Sequence, residues 1–253
     1  MPQATVRAYG PLNDFLPPRG RQTDRICAFE RRTSVKDLIE RLGIPHPEVD
    51  LILINGESVD FDAEVRDADR LAVFPLFHAI DVGPLSRVRP EPLEVPRFIL
   101  DGHLGRLARY LRLLGLDAAY ERDPQDDELA ARAAGERRIL LTRDRGLLKR
   151  GLVTHGRLVR ESAPRAQLVE VLQRFGPLPL APFSRCPRCN ALLRDVPKSA
   201  VDDRLETRTR QHYSAFRLCP GCGQVYWQGS HWARVSRFIE RVRREATGDV
   251  PRA

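Results

Sequence analysis

The chain has 253 residues and a formal net charge of +8, with 42 Lys and Arg against 34 Asp and Glu. This length is enough for one large domain or for two to three small ones, each with its own core. No apolar run approaches the roughly 20 residues that a membrane-spanning helix needs, and no signal-peptide pattern opens the chain. These features exclude a membrane protein and predict a cytoplasmic one.

Residues 1–81 show short strands and one helix in the order strand, strand, helix, strand, strand, which predicts a β-grasp sheet. Ser34 precedes the helical pattern, and Asn55-Gly56 is a tight hairpin turn. In this hairpin, and in the Asp67-x-Asp69-Arg70-Leu71 approach to the last strand, the segment resembles the ubiquitin-like sulfur-carrier proteins. Sulfur carriers end in an exposed Gly-Gly tail, whereas here the strand continues into more protein. We therefore interpret residues 1–81 as a docking module for a protein partner.

Residues 82–96 contain four prolines, a composition that resists both helix and central strand and predicts a linker. From residue 97 to residue 180, short apolar strands alternate with helices, which indicates a parallel α/β sheet. The helix that follows Asp101 carries leucines on one face, while three arginines lie on or beside the other face: Arg106, Arg109 and Arg112.

Two of these strands end in a carboxylate, one at Asp101 and one at Asp144, and an acidic helix begins between them at Asp126. In one parallel sheet the three carboxylates would share an edge, and such a cluster implies a divalent cation, Mg²⁺ or Mn²⁺. This ion suits hydrolysis of a phosphodiester. Each residue has an ordinary alternative, since Asp126 or Asp127 can cap a helix and Asp101 and Asp144 are common turn residues.

Residues 181–246 contain two Cys-x-x-Cys pairs, Cys186–Cys189 and Cys219–Cys222, with 29 residues between them. Four thiolates complete a tetrahedral zinc site with no open position, so the spacing predicts a structural zinc ribbon. A basic helix follows the ribbon. Residues 181–253 hold 14 Lys and Arg against 7 Asp and Glu, which favours a polyanionic partner for this part of the chain.

From about Arg97 through the cysteine module, the chain resembles the Mut-seven C-terminal RNase domain, a branch of the PIN-like nucleases. The resemblance is carried by Asp101-x-x-Leu104-Gly105-x-Leu107-Ala108, by Asp126-x-Glu128-Leu129 and by Ile139-Leu140-Leu141-Thr142-Arg143-Asp144. It implies that Asp101, Asp126 and Asp144 correspond to the metal-binding acids of PIN nucleases. Asp127 replaces Asp126 if the register slips by one residue.

The prediction is thus a β-grasp domain (1–81), a linker (82–96), a PIN-like parallel α/β domain (97–180) and a zinc ribbon with a C-terminal helix (181–246). We expect a metal-dependent ribonuclease that hydrolyses RNA phosphodiester bonds. The arginines expected to contact RNA phosphates are Arg106, Arg109, Arg143 and Arg145. Tyr226, Trp227 and Trp232 can stack on bases or pack internally. The alternative is a non-catalytic zinc-ribbon protein that binds RNA or acts as an adaptor.

Overall fold

The computed structural model describes residues 1–77, 82–88, 93 and 95–247. Positions 89–92 and 94 of the predicted linker, and positions 78–81 of the predicted first domain, lie outside the described residues. The chain divides into two compact units. The first comprises Met1–Val95 and Gln125–Leu158, and the second comprises Pro96–Pro124 and Val159–Ala253.

A five-stranded sheet with one helix forms the amino-terminal part of the first unit and confirms the predicted β-grasp. Its strand order is β2-β1-β5-β3-β4, with β1 and β5 parallel and the other neighbours antiparallel. The elements are β1 (Gln3–Ala8), β2 (Arg25–Ala28), α1 (Val35–Arg41), β3 (Val49–Ile54), β4 (Glu57–Ser58) and β5 (Arg70–Pro75). Ser34 caps α1 by accepting a hydrogen bond from Asp37 N at 3.1 Å. Asn55 and Gly56, with φ of 51° and 93°, make the predicted hairpin turn.

The rest of the first unit is an α/β segment. Its elements are α3 (Asp126–Gly135), β8 (Ile139–Thr142), α4 (Arg145–Leu148) and β9 (Gly156–Leu158). They follow three elements of the second unit in the chain: β6 (Phe98–Leu100), α2 (Gly105–Leu113) and β7 (Ala118–Tyr120). All four residues of β8 are buried, and β8 pairs in parallel with β9. Leu158 packs against the core of the β-grasp sheet. The two parts of the first unit therefore share apolar contacts.

In the second unit, a parallel strand pair is covered by helices. The elements are β6 (Phe98–Leu100), α2 (Gly105–Leu113), β7 (Ala118–Tyr120) and α5 (Pro164–Phe175). Phe98, Ile99 and Leu100 are fully buried, and β6 pairs in parallel with β7. Burial of Leu107 and Leu111 confirms the predicted apolar face of α2. The parallel pairing in both units confirms the predicted α/β class.

The carboxyl-terminal part of the second unit is a small antiparallel sheet with two helices. The order is β10-β11-β12, from β10 (Arg194–Val196), β11 (Phe216–Leu218) and β12 (Val225–Trp227), with α6 (Thr207–His212) between β10 and β11 and α7 (Ser230–Thr247) at the end. A core of Val201, Leu205, Phe216 and Val225 supports the sheet. Within the described residues, no helix is long and apolar enough to span a membrane.

Candidate functional site

Four cysteines meet at the end of the small antiparallel sheet. The Sγ atoms of Cys186, Cys189, Cys219 and Cys222 all lie within 4.8 Å of one another. The Cys186–Cys222 sulfurs are 3.6 Å apart and the Cys189–Cys219 sulfurs 3.3 Å apart. A tetrahedral zinc ion with Zn–S distances of about 2.3 Å separates its sulfurs by about 3.8 Å. The four thiols therefore fit a single tetrahedral metal ion, as the spacing of the two pairs predicts.

Hydrogen-bond donors surround the sulfur of Cys186. Burial opposes ionisation of this thiol, but donors from the Tyr226 hydroxyl, at 3.1 Å, and from the backbone N–H groups of Cys189 and Arg188 outweigh burial and lower its pKa to about 7. Burial and the contact with Cys186 raise the pKa of Tyr226. Its hydroxyl therefore stays protonated and is the donor in the hydrogen bond to the Cys186 sulfur. Donors of this kind favour the thiolate of Cys186, which is the form that binds a metal ion. At Cys189 and Cys222 burial instead raises the pKa of the thiol.

Arg112 connects the first cysteine pair to the parallel strands. The sequence places Arg112 on or beside the face of α2 opposite the leucines, whereas the structure buries its side chain. Its Nε donates to Ala118 O at 2.8 Å, and its Nη1 donates to the carbonyls of Pro187 at 3.3 Å and Arg188 at 2.9 Å. Burial lowers the pKa of Arg112, and the nearby Cys189 and Cys186 thiols act in the opposite direction. A charged donor thus joins α2, β7 and the cysteine loop.

Asn190 makes a second connection between the same elements. This residue adopts a φ of 73°, a conformation that asparagine tolerates better than most residues. Its amide accepts a hydrogen bond from Ala118 N at 3.1 Å and donates to Asp117 Oδ1 at 2.8 Å. Arg185 pairs with the other oxygen of Asp117 at 3.4 Å. The loop that holds Cys186 and Cys189 is therefore fixed to β7 by side chains on both sides.

Asp101 lies in the second unit, directly after β6. Only 6% of its surface is exposed, and its Oδ1 accepts a hydrogen bond from His103 N at 2.9 Å. The following residue, Gly102, has no room for a side chain, because a Cβ there would lie 2.3 Å from Arg122 O. Tyr120 donates to the Gly102 carbonyl at 3.0 Å. The strand, the glycine and this hydrogen bond together fix the backbone that carries the Asp101 carboxylate.

Asp126, Asp127 and Asp144 are exposed residues of the first unit. Asp144 caps α4, since its Oδ1 accepts a hydrogen bond from Gly146 N at 2.6 Å. Asp126 and Asp127 open α3, and both carboxylates contact the guanidinium of Arg150, which lies 3.3 Å from Asp126 Oδ2. The predicted alternatives at position 126 or 127 are thus neighbours that share one arginine. A cation bound at Asp126 would compete with Arg150 for the same oxygen.

The predicted phosphate-binding arginines all lie at the protein surface. Arg106 and Arg109 are exposed on α2, and Arg143 and Arg145 are exposed beside Asp144. The guanidinium of Arg145 also lies over the ring of Phe15, 5.3 Å from its centroid. Two of the aromatic residues of the ribbon pack internally, since Tyr226 contacts Cys186 and Trp232 stacks on Phe183 at 3.5 Å.

A family model for the Mut7-C RNAse domain matches residues 96–239, which include Asp101, Asp126, Asp144 and all four clustered cysteines. The chain belongs to this family. A second model, for Mut7-C ubiquitin, matches residues 1–81, the β-grasp part of the first unit. Both matches confirm the resemblance seen in the sequence, and the protein therefore carries a nuclease-type domain after a ubiquitin-like one.

Two solved structures are similar to part of the chain. One is small archaeal modifier protein 1 of H. volcanii, at 18% identity, and the other is a Pyrococcus furiosus protein assigned as molybdopterin converting factor, subunit 1, at 21% identity. Each match covers 98% of the solved chain and 30% of this one, with a TM-score of 0.25. Comparison with curated proteins gives no match.

The Mut7-C ubiquitin domain contacts the part of the Mut7-C RNase domain that belongs to the first unit. His46 is buried, with Nδ1 2.6 Å from Glu40 Oε1 and Nε2 2.8 Å from Val153 O. Lys149 donates to Glu40 O at 2.7 Å. Leu158 N donates to Glu48 Oε1 at 2.6 Å. Polar contacts thus tie the ubiquitin-like domain to the end of α4 and to β9.

Replacing His46 with Ala is expected to lower the free energy of unfolding by about 2 kcal/mol, because the buried Val153 carbonyl and the partly buried Glu40 carboxylate lose their partner. In the same variant, amide hydrogen exchange should accelerate in residues 145–158, which His46 reaches through Val153. Thermal unfolding and exchange mass spectrometry measure both effects. His212→Ala is the control, because His212 is exposed and its ring Nδ1 lies 2.9 Å from Arg208 O of its own helix. Unchanged exchange in His46→Ala would contradict this role of His46.

The sequence does not predict the contacts that four residues make at the cysteine cluster, at Asp126 and between the two parts of the first unit. These residues are Arg112, Arg150, Tyr226 and His46. Arg112 and Arg150 belong to basic patterns that are typical of solvated surfaces, and Tyr226 belongs to an aromatic strand. Their partners are distant in sequence: Arg150 reaches Asp126, and Tyr226 reaches Cys186. A weak signal exists for Arg112, which follows Leu111 within the apolar half of α2.

Proposed function

We propose that this protein is a metal-dependent ribonuclease in which Asp101, Asp126 and Asp144 bind Mg²⁺ or Mn²⁺, with Asp127 as the alternative to Asp126. Membership of the Mut7-C RNase family carries this proposal, because the match includes all three aspartates. The local structure supports it. Asp101 and Asp144 occupy equivalent positions, each at the carboxyl end of a buried parallel strand and at the start of a helical turn.

The donor chemistry fits a hard divalent cation. Carboxylate oxygens are the ligands that Mg²⁺ and Mn²⁺ prefer, and no thiol or imidazole belongs to the proposed set. When bound, the cation would lower the pKa of a water molecule and offset the charge that develops on the phosphoryl oxygens. Asp101 would hold its position through Gly102 and the His103 N–H group. Arg143, which is exposed next to Asp144, would contact a substrate phosphate.

Zinc in the four-cysteine cluster would have a structural role. Four thiolates leave no coordination position for water or substrate, so the cluster suits folding rather than catalysis. Arg112 and Asn190 connect the cysteine loop to β7. Zinc bound there would stabilise β7, which pairs with β6, the strand that Asp101 directly follows.

RNA is the proposed partner of the RNase domain, and a second protein is the proposed partner of the ubiquitin-like domain. On β2, the edge strand of the β-grasp sheet, Ile26 is 74% exposed. An edge strand with an exposed apolar side chain favours association with another polypeptide.

The full-length protein, loaded with zinc, tests the proposed reaction when it is incubated with 5′-labelled single-stranded and hairpin RNAs in Mn²⁺, Mg²⁺ or Ca²⁺. We expect Mn²⁺-dependent fragments, resolved on a denaturing gel, and a Mn²⁺ binding isotherm by calorimetry. Fragments of equal yield with and without divalent cation would contradict the metal-dependent mechanism.

The second candidate is a non-catalytic RNA-binding or adaptor protein. The observation that favours it is that the carboxylates already have partners within the chain: Asp101 with His103 N, Asp144 with Gly146 N, and Asp126 with Arg150. Tight RNA binding with no turnover and no heat of Mn²⁺ binding would support this candidate over the nuclease.

A further inference from the structure

Helix α7 exposes a row of four arginines on one face. Arg234, Arg237, Arg241 and Arg244, here called the arginine stripe, are spaced by three, four and three residues and are all exposed. Because an α-helix rises about 1.5 Å per residue, the stripe extends about 15 Å. Its side chains line a groove of about 570 Å³ together with Ser236 and Glu240.

The opposite face of α7 fixes the direction of the stripe. Ile239 is 3% exposed and Val242 fully buried. Phe238 contacts the ring of Tyr110 on α2, with centroids 4.9 Å apart. Trp232 stacks on Phe183. An apolar face held at several points along its length prevents rotation of the helix, so the arginines stay directed outward.

The charges of the stripe are poorly compensated. Glu240 is the one acidic residue that lines the described groove, and it pairs with Arg243, outside the stripe, at 3.7 Å. Across the described part of the chain, Arg234, Arg237 and Arg241 make no side-chain hydrogen bond or ion pair. Uncompensated guanidinium groups in a groove attract phosphate, which they bind through paired N–H donors.

Further arginines lead from this surface along α2. Arg109 is exposed directly before Tyr110, the residue that contacts α7, and Arg106 is exposed one turn earlier. From Gly105, where α2 begins, to Tyr110 the helix covers five residues, or about 7.5 Å at the helical rise, and Asp101 lies one short turn before Gly105. Arginines on two packed helices suit a flexible single strand, whose backbone can follow a basic surface from one helix to the next.

We propose that the arginine stripe of α7 binds the phosphate backbone of single-stranded RNA, on a helix that carries none of the proposed metal-binding aspartates. The choice of RNA as the polyanion rests on the proposed ribonuclease function. The stripe contains no proposed metal ligand, so it contributes to RNA affinity and not to the chemical step.

Fluorescence anisotropy with a 5′-labelled 20-nucleotide oligouridylate tests this proposal, with the zinc-loaded full-length protein and without added Mg²⁺ or Mn²⁺. The test variant is Arg237→Gln/Arg241→Gln. Each phosphate contact to a single strand contributes about −0.7 to the slope of log K against log salt, so the slope should become shallower by about 1.4. At 0.1 M salt this corresponds to about 25-fold weaker binding than the unaltered protein.

Arg19→Gln/Arg31→Gln is the matched control, because both residues are exposed on the β-grasp domain and the change in net charge is the same. Its affinity should stay within about twofold of the unaltered protein. Equal weakening in both variants would overturn the proposal, since it would show a general charge effect. Unchanged affinity in the stripe variant would also overturn it.

A labelled 20-residue polyglutamate separates RNA from an acidic protein partner. If the stripe variant loses polyglutamate binding and keeps RNA binding, the stripe serves a protein and the proposal is wrong.

Cleavage in Mn²⁺ is measured separately. Loss of RNA affinity in a protein without nuclease activity supports the stripe and contradicts the proposed function, whereas active protein with unchanged affinity contradicts only the stripe.

Discussion

Asp101→Asn is expected to reduce Mn²⁺-dependent RNA cleavage by at least about 100-fold, because a metal ligand that stabilises charge in the transition state is worth several kcal/mol. The substitution is almost isosteric. Asn keeps an oxygen that can accept the hydrogen bond from His103 N, and asparagine caps helices as well as aspartate does. The change therefore removes the charge and preserves the local fold.

Single-turnover cleavage, Mn²⁺ calorimetry and thermal unfolding should be measured on the same preparation of Asp101→Asn. We expect cleavage and Mn²⁺ affinity to fall together while the melting temperature stays the same. Asp123→Asn is the control, because Asp123 is an exposed carboxylate between β7 and α3 and is not a proposed ligand. Full cleavage and full Mn²⁺ affinity in Asp101→Asn would contradict the proposed site.

The same measurements show which of the two neighbouring residues at the start of α3, Asp126 or Asp127, binds Mn²⁺. Asp126→Asn is expected to lower Mn²⁺ affinity, while Asp127→Asn, whose side chain is 85% exposed, should leave it unchanged. The reverse result would shift the register by one residue and identify Asp127 as the ligand. Since Arg150 contacts both carboxylates, both variants also lose part of an ion pair, which is a small effect at an exposed position.

Local sequence patterns are sufficient to predict most of the elements. The apolar run Phe98–Leu100 and the leucine spacing of α2 predict a buried strand and its helix, and Ser34 predicts the start of α1. These features depend on residues within one or two turns of each other. For the same reason the two cysteine pairs predict a metal cluster, because each pair forms its own turn and the four thiols have one common use.

Contacts between distant residues could not be predicted in this way. Arg112 follows Arg106 and Arg109 at the same three-residue spacing, yet it is buried, and its guanidinium donates to carbonyl groups 75 and 76 residues away. His46 begins a short 3-10 helix of the β-grasp domain (His46–Glu48), and its partner Val153 is 107 residues away. A single sequence contains no periodic signal for such pairs. The proposed convergence of the aspartates depends on the same kind of long-range arrangement.

Removal of zinc is expected to unfold the cysteine ribbon, because structural zinc sites of this type contribute about 10–16 kcal/mol of apparent binding free energy. Cys189→Ser is the informative variant. Cys189 is exposed, whereas Cys186 and Cys219 are fully buried, so replacing Cys189 disturbs packing little and tests the metal ligand itself. The unaltered protein should bind one zinc ion per chain, measured by native mass spectrometry, and Cys189→Ser should bind none at stoichiometric zinc.

The two tryptophans of the chain, Trp227 and Trp232, both lie in or directly after the ribbon, so their fluorescence reports its unfolding. Chelation of zinc should shift their emission to longer wavelength and accelerate amide exchange in residues 185–192, the loop that Arg112 and Asn190 hold against β7. Cys27→Ser, in the β-grasp domain, is the control and should retain one zinc ion and the native emission. Native zinc content and native fluorescence in Cys189→Ser would contradict a zinc site of four thiolates. Such a site should lose its zinc ion, and the fold that depends on it, when one ligand is removed.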